Sequence, residues 1–178
     1  MPHKILLALS TALTFAYAGT QLKVPGSLTA HFVHTVSGHG VSTRYSGTAV
    51  VNRSRAFRLE YRRPGRQLAC NLNSSAYWID YSTRTAVRYD VGSLLDLMQV
   101  LKVARHYRGN LYKSNYHGYH FLLRVNRRGE VDRITFRDKS GTQNTITLSS
   151  IRYTQRPLPS SRFRCPVPRG YRIVQGRI

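Results

Sequence analysis

Acidic residues are scarce in this chain: seven Asp and Glu stand against 28 Lys and Arg in 178 residues. The seven are Glu60, Asp80, Asp90, Asp96, Glu130, Asp132 and Asp138, and none is set for paired acid–base work. Glu60 and Asp132 alternate with arginines in strand patterns, which suits surface pairing better. There is no nucleophile-elbow serine, no glycine-rich phosphate loop and no Cys–His pairing motif. Two histidine pairs, His31-x-x-His34 and His117-x-x-His120, lie in strand patterns, where residues three apart point to opposite faces. Hydrogen-bonded or exposed histidines are therefore expected rather than metal ligands. The expectation is a protein that is not an enzyme and carries no cofactor.

Long apolar runs are absent after residue 18. Before it, His3 and Lys4 lead into ILLALSTALTF, a run too short for a mature membrane helix, and then into Ala16–Ala18, a small-x-small cleavage pattern. Residues 1–18 are read as a secretory signal and 19–178 as one domain exported from the cytoplasm. No cysteine follows Ala18, so a lipidated N-terminus is not expected. Cysteine is rare as well. Cys70 and Cys165 either form one disulfide in an oxidising compartment or remain two buried thiols; both readings stay open.

What the chain has in excess is arginine. Without Lys4 the basic residues number 27, of which 23 are Arg, and the formal charge is +20. Such a charge raises affinity for anionic partners. The arginines are spread evenly rather than blocked, a solvated surface more than a binding tail, so nucleic acid is not an expected partner.

The rest reads as strand. Ser27–Val36, Val41–Asn52, Ala56–Arg63, Gln67–Leu72, Ala76–Tyr81 and Thr85–Asp90 alternate and are separated by turn residues. Phe57, Leu59 and Tyr61 fall on one face, and Arg58, Glu60 and Arg62 on the other. Leu94, Leu97, Met98, Leu101 and Ala104 then follow helical spacing over about three turns, with Ser93 as N-cap and Gly109–Asn110 as stop. Strands resume at Tyr116–Asn126, Val131–Asp138 and Asn144–Thr154, with a last pair around CPVPRG. About ten antiparallel strands and one greasy helix predict a mainly β fold: a curved sheet or incomplete β-barrel under a helical lid. Phe32, Phe57, Tyr61, Trp78, Tyr119, Phe121 and Phe136 could converge on one face, as an aromatic core or as the lining of a cavity.

Several blocks resemble the LolA family of outer-membrane lipoprotein carriers. AHFVHTV is similar to the family's F-x-A-x-F-x-Q strand, with His34 or Thr35 in place of Gln. GTAVVNRSRAFRLEYRRP resembles its R-P turn block at Gly47, Arg53, Phe57 and Pro64, with Ser54 where Pro is usual. NSSAYWIDY resembles the hairpin around Trp78, and GTQNTITLSSIRY with RFRCPVPRGYRIV the closing block. The resemblance implies a periplasmic monomer that binds lipoprotein acyl chains in an apolar cavity. Phe32, Phe57, Leu59, Tyr61, Trp78, Leu94, Leu97, Met98, Leu101 and Phe121 are the candidate lining. It also implies that Arg53 latches the lid by bonding to lid-helix carbonyls; an ordinary turn arginine is the alternative. The implied partners are outer-membrane lipoproteins as cargo, an inner-membrane ABC transporter that loads them and an outer-membrane acceptor. Two rival readings are a free-lipid or glycolipid binder of the same fold and a cationic envelope protein that binds polyanions.

Overall fold

The computed structural model describes residues 21–72, 74–90 and 96–176. Residues 1–18, read above as a signal, and Ser93, Leu94 and Leu95 lie outside the described residues. The strands are β1 (Ser27–Gly38), β2 (Val41–Asn52), β3 (Phe57–Arg63), β4 (Gln67–Leu72), β5 (Ser75–Asp80) and β6 (Thr85–Asp90), then β7 (Arg105–Arg108), β8 (Leu111–Tyr116), β9 (Tyr119–Val125), β10 (Val131–Arg137), β11 (Gln143–Thr154) and β12 (Arg172–Gln175). Among the described residues an α-helix, α1 (Leu97–Lys102), precedes β7, and a 3-10 turn occupies Ser160–Phe163.

All twelve strands form one open curved sheet in the order β12-β6-β5-β4-β3-β2-β1-β11-β10-β9-β8-β7. Neighbours pair antiparallel through sequential hairpins, except that β1 closes on β11 and β12 runs parallel to β6. The turns explain the hairpins. His39–Gly40 and His117–Gly118 have φ of 51° and 78° in both cases, the doubly left-handed form that matches strand twist.

Alternation gives the sheet two apolar faces. The inner face carries Leu28, Ala30 and Phe32 of β1, Ala49 and Val51 of β2, Tyr61 of β3, and Leu123, Ile134 and Leu148 of β9–β11. These join Met98, Val100 and Leu101 of α1 in one buried cluster. Gly47 sits opposite Phe32, where a Cβ would come within 2.9 Å of the ring and overlap the Glu60 carbonyl. The outer face has a smaller cluster of Leu68, Cys70, Ile79 and Ala86, covered by Cys165, Val167 and Tyr171 from the C-terminal segment. Cys70 and Cys165 are disulfide-bonded, with Cα atoms 5.6 Å apart.

Three expectations are corrected. The helix is six residues long, because Asp96 rather than Ser93 caps it: its carboxylate accepts from Met98 and Gln99 N–H. Gly109–Asn110 does not stop a helix but turns the β7–β8 hairpin; the helical reading absorbs β7 and the strand reading resumes only at the end of β8, and the described strands number twelve. The expected pair around CPVPRG is β12 alone, since the preceding segment is pinned by the disulfide and by Phe163, which is 1% exposed.

The disulfide spans 95 residues of sequence, and closing so long a loop in the unfolded chain is worth about 4 kcal/mol in the chain-entropy description. The double variant Cys70→Ala/Cys165→Ala is expected to lose about that much stability in urea unfolding. An unchanged midpoint would mean that the C-terminal segment is held by its other contacts alone.

Candidate apolar binding face

The inner face is built around aromatic rings contributed by separate strands. Phe32 meets Tyr61 edge-on at 5.0 Å, Tyr61 meets Trp78 at 5.1 Å, and Tyr45 lies 6.0 Å from Tyr61. Cross-strand register sets this row: Phe32 pairs with Gly47, Gly47 with Tyr61, and Trp78 with Ala69. A second aromatic group, Tyr119, Phe121 and Phe136, sits towards the β8–β10 end, with Phe121 and Phe136 5.1 Å apart. The described candidates therefore share one face. Phe32, Tyr61, Met98, Leu101 and Phe121 are buried in it, while Phe57, Leu59, Trp78 and Leu97 pack against the same cluster but stay partly exposed. Leu94 lies outside the described residues. Tyr45 and Tyr112 also belong to this face, and the alternation of their strands was the signal that could have found them.

The helix is held at two points. Ser114, 2% exposed, donates from Oγ to the Val100 carbonyl at 2.8 Å. Asp96 is the second point. Its Oδ1 caps the helix, and its Oδ2 makes no hydrogen bond in the described residues but lies 3.2 Å from Arg55 Nε, an ion pair with the carboxylate side chain 5% exposed. Arg55 reaches it from the β2–β3 turn in a left-handed conformation, φ 67°. A carboxylate buried to that degree depends on its cation and on the cap N–H groups.

The expected latch bonds from Arg53 to the helix do not occur among the described residues. Its Nε and NH2 donate to the carbonyls of Pro25 (3.2 Å) and Val24 (3.1 Å), and its backbone N–H donates to Gly26. The turn aims Arg53 back along the end of β1, so it fastens the segment 21–26 whose Leu22 and Val24 pack on the inner cluster. The position two residues on, Arg55, is the one that reaches the helix.

The first histidine pair divides as strand geometry requires; the second does not lie in one strand as expected, because a turn separates β8 from β9 there. His34 lies on the inner side and is bonded at 2.9 Å to Asn144, while His31 is exposed on the other face; burial lowers the His34 pKa more than the Asn144 bond raises it. His117 is in a turn, and His120 bonds Asn115. No group of three metal-binding side chains occurs among the described residues.

Solved structures share this fold over most of the length of the chain. An uncharacterised conserved protein from Thermus thermophilus matches 86% of this chain and 92% of its own at a TM-score of 0.52 and 14% identity. A LolA superfamily protein from Nitrosomonas europaea matches 84% of this chain and 94% of its own at a TM-score of 0.53 and 10% identity. No protein-family model and no curated protein matches the chain. The chain has a divergent LolA-like fold.

Two outcomes follow. Arg55→Leu is expected to lower hydrogen-exchange protection of the α1 amides several-fold, through the loss of the cation beside Asp96. Arg53→Leu should leave α1 protected and loosen residues 22–26 instead; the reverse pattern would return the helix contact to Arg53. Burial, with Tyr45 adding to it, pushes Tyr61 from 10.0 to about 12, and burial raises Tyr153 to about 12 as well. A tyrosine held neutral by the fold contributes its full stability below pH 10.0, and that contribution is lost as pH rises towards about 12. Alkaline unfolding should fall in that window, and Tyr61→Phe should shift it upward.

Proposed function

We propose that the protein is a carrier of acylated cargo in the periplasm, with lipoprotein acyl chains held on the inner face beneath α1. The observation that carries this reading is the position of Phe57, Leu59, Trp78 and Leu97: they join the inner apolar cluster yet keep part of their surface free. A six-residue helix is a small cover for so wide an apolar face. Its attachments are few, so it can move without unpicking a sheet. The LolA-like fold supports the reading.

The physics suits a carrier. Each methylene buried is worth about 0.8 kcal/mol, so a long acyl chain needs only part of its length covered to be held in water. Displacing α1 must break the Ser114–Val100 bond and the Asp96–Arg55 pair. That cost is subtracted from cargo affinity and makes release possible. On this reading an inner-membrane ABC transporter loads the cargo and an outer-membrane acceptor takes it. Arginines spread over the surface favour anionic docking partners.

A charge placed in the lining tests the idea. Leu59→Glu is expected to weaken binding of a fluorescent fatty acid about tenfold or more, because a carboxylate there must be desolvated against the chain. Leu122→Glu, on an exposed outer-face side chain, should leave binding unchanged. Equal affinities for the two variants would place the acyl chain elsewhere.

A further inference from the structure

The outer face holds a pocket of about 420 Å³ that is independent of the apolar face. Its floor is Thr29 and His31 of β1 with Thr48 and Val50 of β2, all on the side of the sheet facing away from Phe32 and Tyr61. One wall is the β11 segment with Ser150 and Arg152; opposite it stands Arg162 of the 3-10 turn.

The charge in this pocket is unbalanced. Its single acid, Glu60, is engaged by Arg58, with Nε at 2.8 Å and NH2 at 2.7 Å from Oε1. Arg58 also donates to the Arg164 carbonyl. The ion pairs among the described residues use Arg55, Arg58, Arg124 and Arg128. The guanidinium groups of Arg152 and Arg162 have neither hydrogen-bond nor ion-pair partners among the described residues. These two guanidiniums, without partners among the described residues, share the pocket with three hydroxyls, from Thr29, Thr48 and Ser150, and an imidazole.

The walls are built and held. Register slips between Thr29 and His31, leaving an extra residue in β11, and Ser150 takes a left-handed φ of 49° there. Such a bulge re-aims side chains, and its strain needs support from its surroundings. The opposite wall is clamped on both sides of Arg162. Asn52 exchanges two 3.0 Å hydrogen bonds with the backbone of Leu158, and Cys165 is joined to Cys70. Phe163, between these clamps, is buried.

We infer that this pocket binds a phosphate group through Arg152 and Arg162. A guanidinium matches phosphate oxygens in a forked geometry, two in one pocket add their charge, and hydroxyls complete the shell between walls that are already in place. The pocket has no aromatic wall for a base, and its volume suits a phosphate monoester or the headgroup of a phospholipid.

The test compares two double variants of equal charge: Arg152→Gln/Arg162→Gln in the pocket and Arg105→Gln/Arg133→Gln outside it. Arg152 and Arg162 are exposed, so both proteins should fold, which circular dichroism checks. Calorimetric titration with glycerol 3-phosphate and cosedimentation with phosphatidylglycerol vesicles are run at physiological ionic strength. The expected result is that wild type and the outside variant bind alike while the pocket variant binds about tenfold more weakly or not at all. Loss with glycerol 3-phosphate assigns a soluble phosphate ligand, and loss with vesicles alone assigns a lipid headgroup. Equal weakening of both variants would reduce the effect to diffuse surface charge and overturn the site, as would wild-type protein that binds neither probe. Fatty-acid binding on the inner face should be unchanged in the pocket variant, which separates this site from the acyl-chain reading.

Discussion

Period-two alternation in an open sheet decides what each face shows, and in this sheet both faces show apolar side chains that must be covered. The chain has little to cover them with. Among the described residues the inner face receives a six-residue helix and an N-terminal segment; the outer face receives the C-terminal segment stapled by one disulfide. Coverage on the inner side is incomplete, so half-buried apolar groups remain at Phe57, Leu59 and Trp78. On the outer side the covering segment crosses only part of the sheet, and a polar pocket opens beside it. Both candidate sites are consequences of one shortage of covering structure.

The covers are fixed by different chemistry. On the outer side a covalent bond and the Asn52–Leu158 pair make a static wall. On the inner side no covalent bond holds the helix: among the described residues it is fixed by the buried side chains of Met98, Val100 and Leu101, by one hydroxyl–carbonyl bond and by the Asp96–Arg55 ion pair. A non-covalent cover over the apolar face and a covalently stapled one beside the charged pocket suit a large ligand that enters by displacement and a small one that enters a preformed shape.

Much of this was legible in the sequence. Alternation in Phe57–Tyr61 and around Phe32 placed the inner-face residues correctly, because register in a strand with one buried face has a single solution. Other features had no local signal. The residues of β7 are all exposed, so no apolar period marks them, and they read as a continuation of the helix. Which turn arginine meets the helix depends on a left-handed backbone at Arg55, which nothing in Arg53-Ser54-Arg55 announces. The parallel pairing of β12 and the approach of Cys165 to Cys70 are products of long-range closure. The phosphate pocket is assembled from four strands and the C-terminal segment, and its arginines look in sequence like any others.

The central claim is that the inner face holds acyl chains. It is tested most directly by native mass spectrometry of the protein purified from its own cells. The account predicts a bound fraction whose added mass is one acylated protein, lost when Leu59 is replaced by Glu. Added mass of free lipid would keep the apolar site and change the cargo. Protein that copurifies with no apolar ligand, and takes none up from acylated lipoprotein supplied in detergent, would contradict the account.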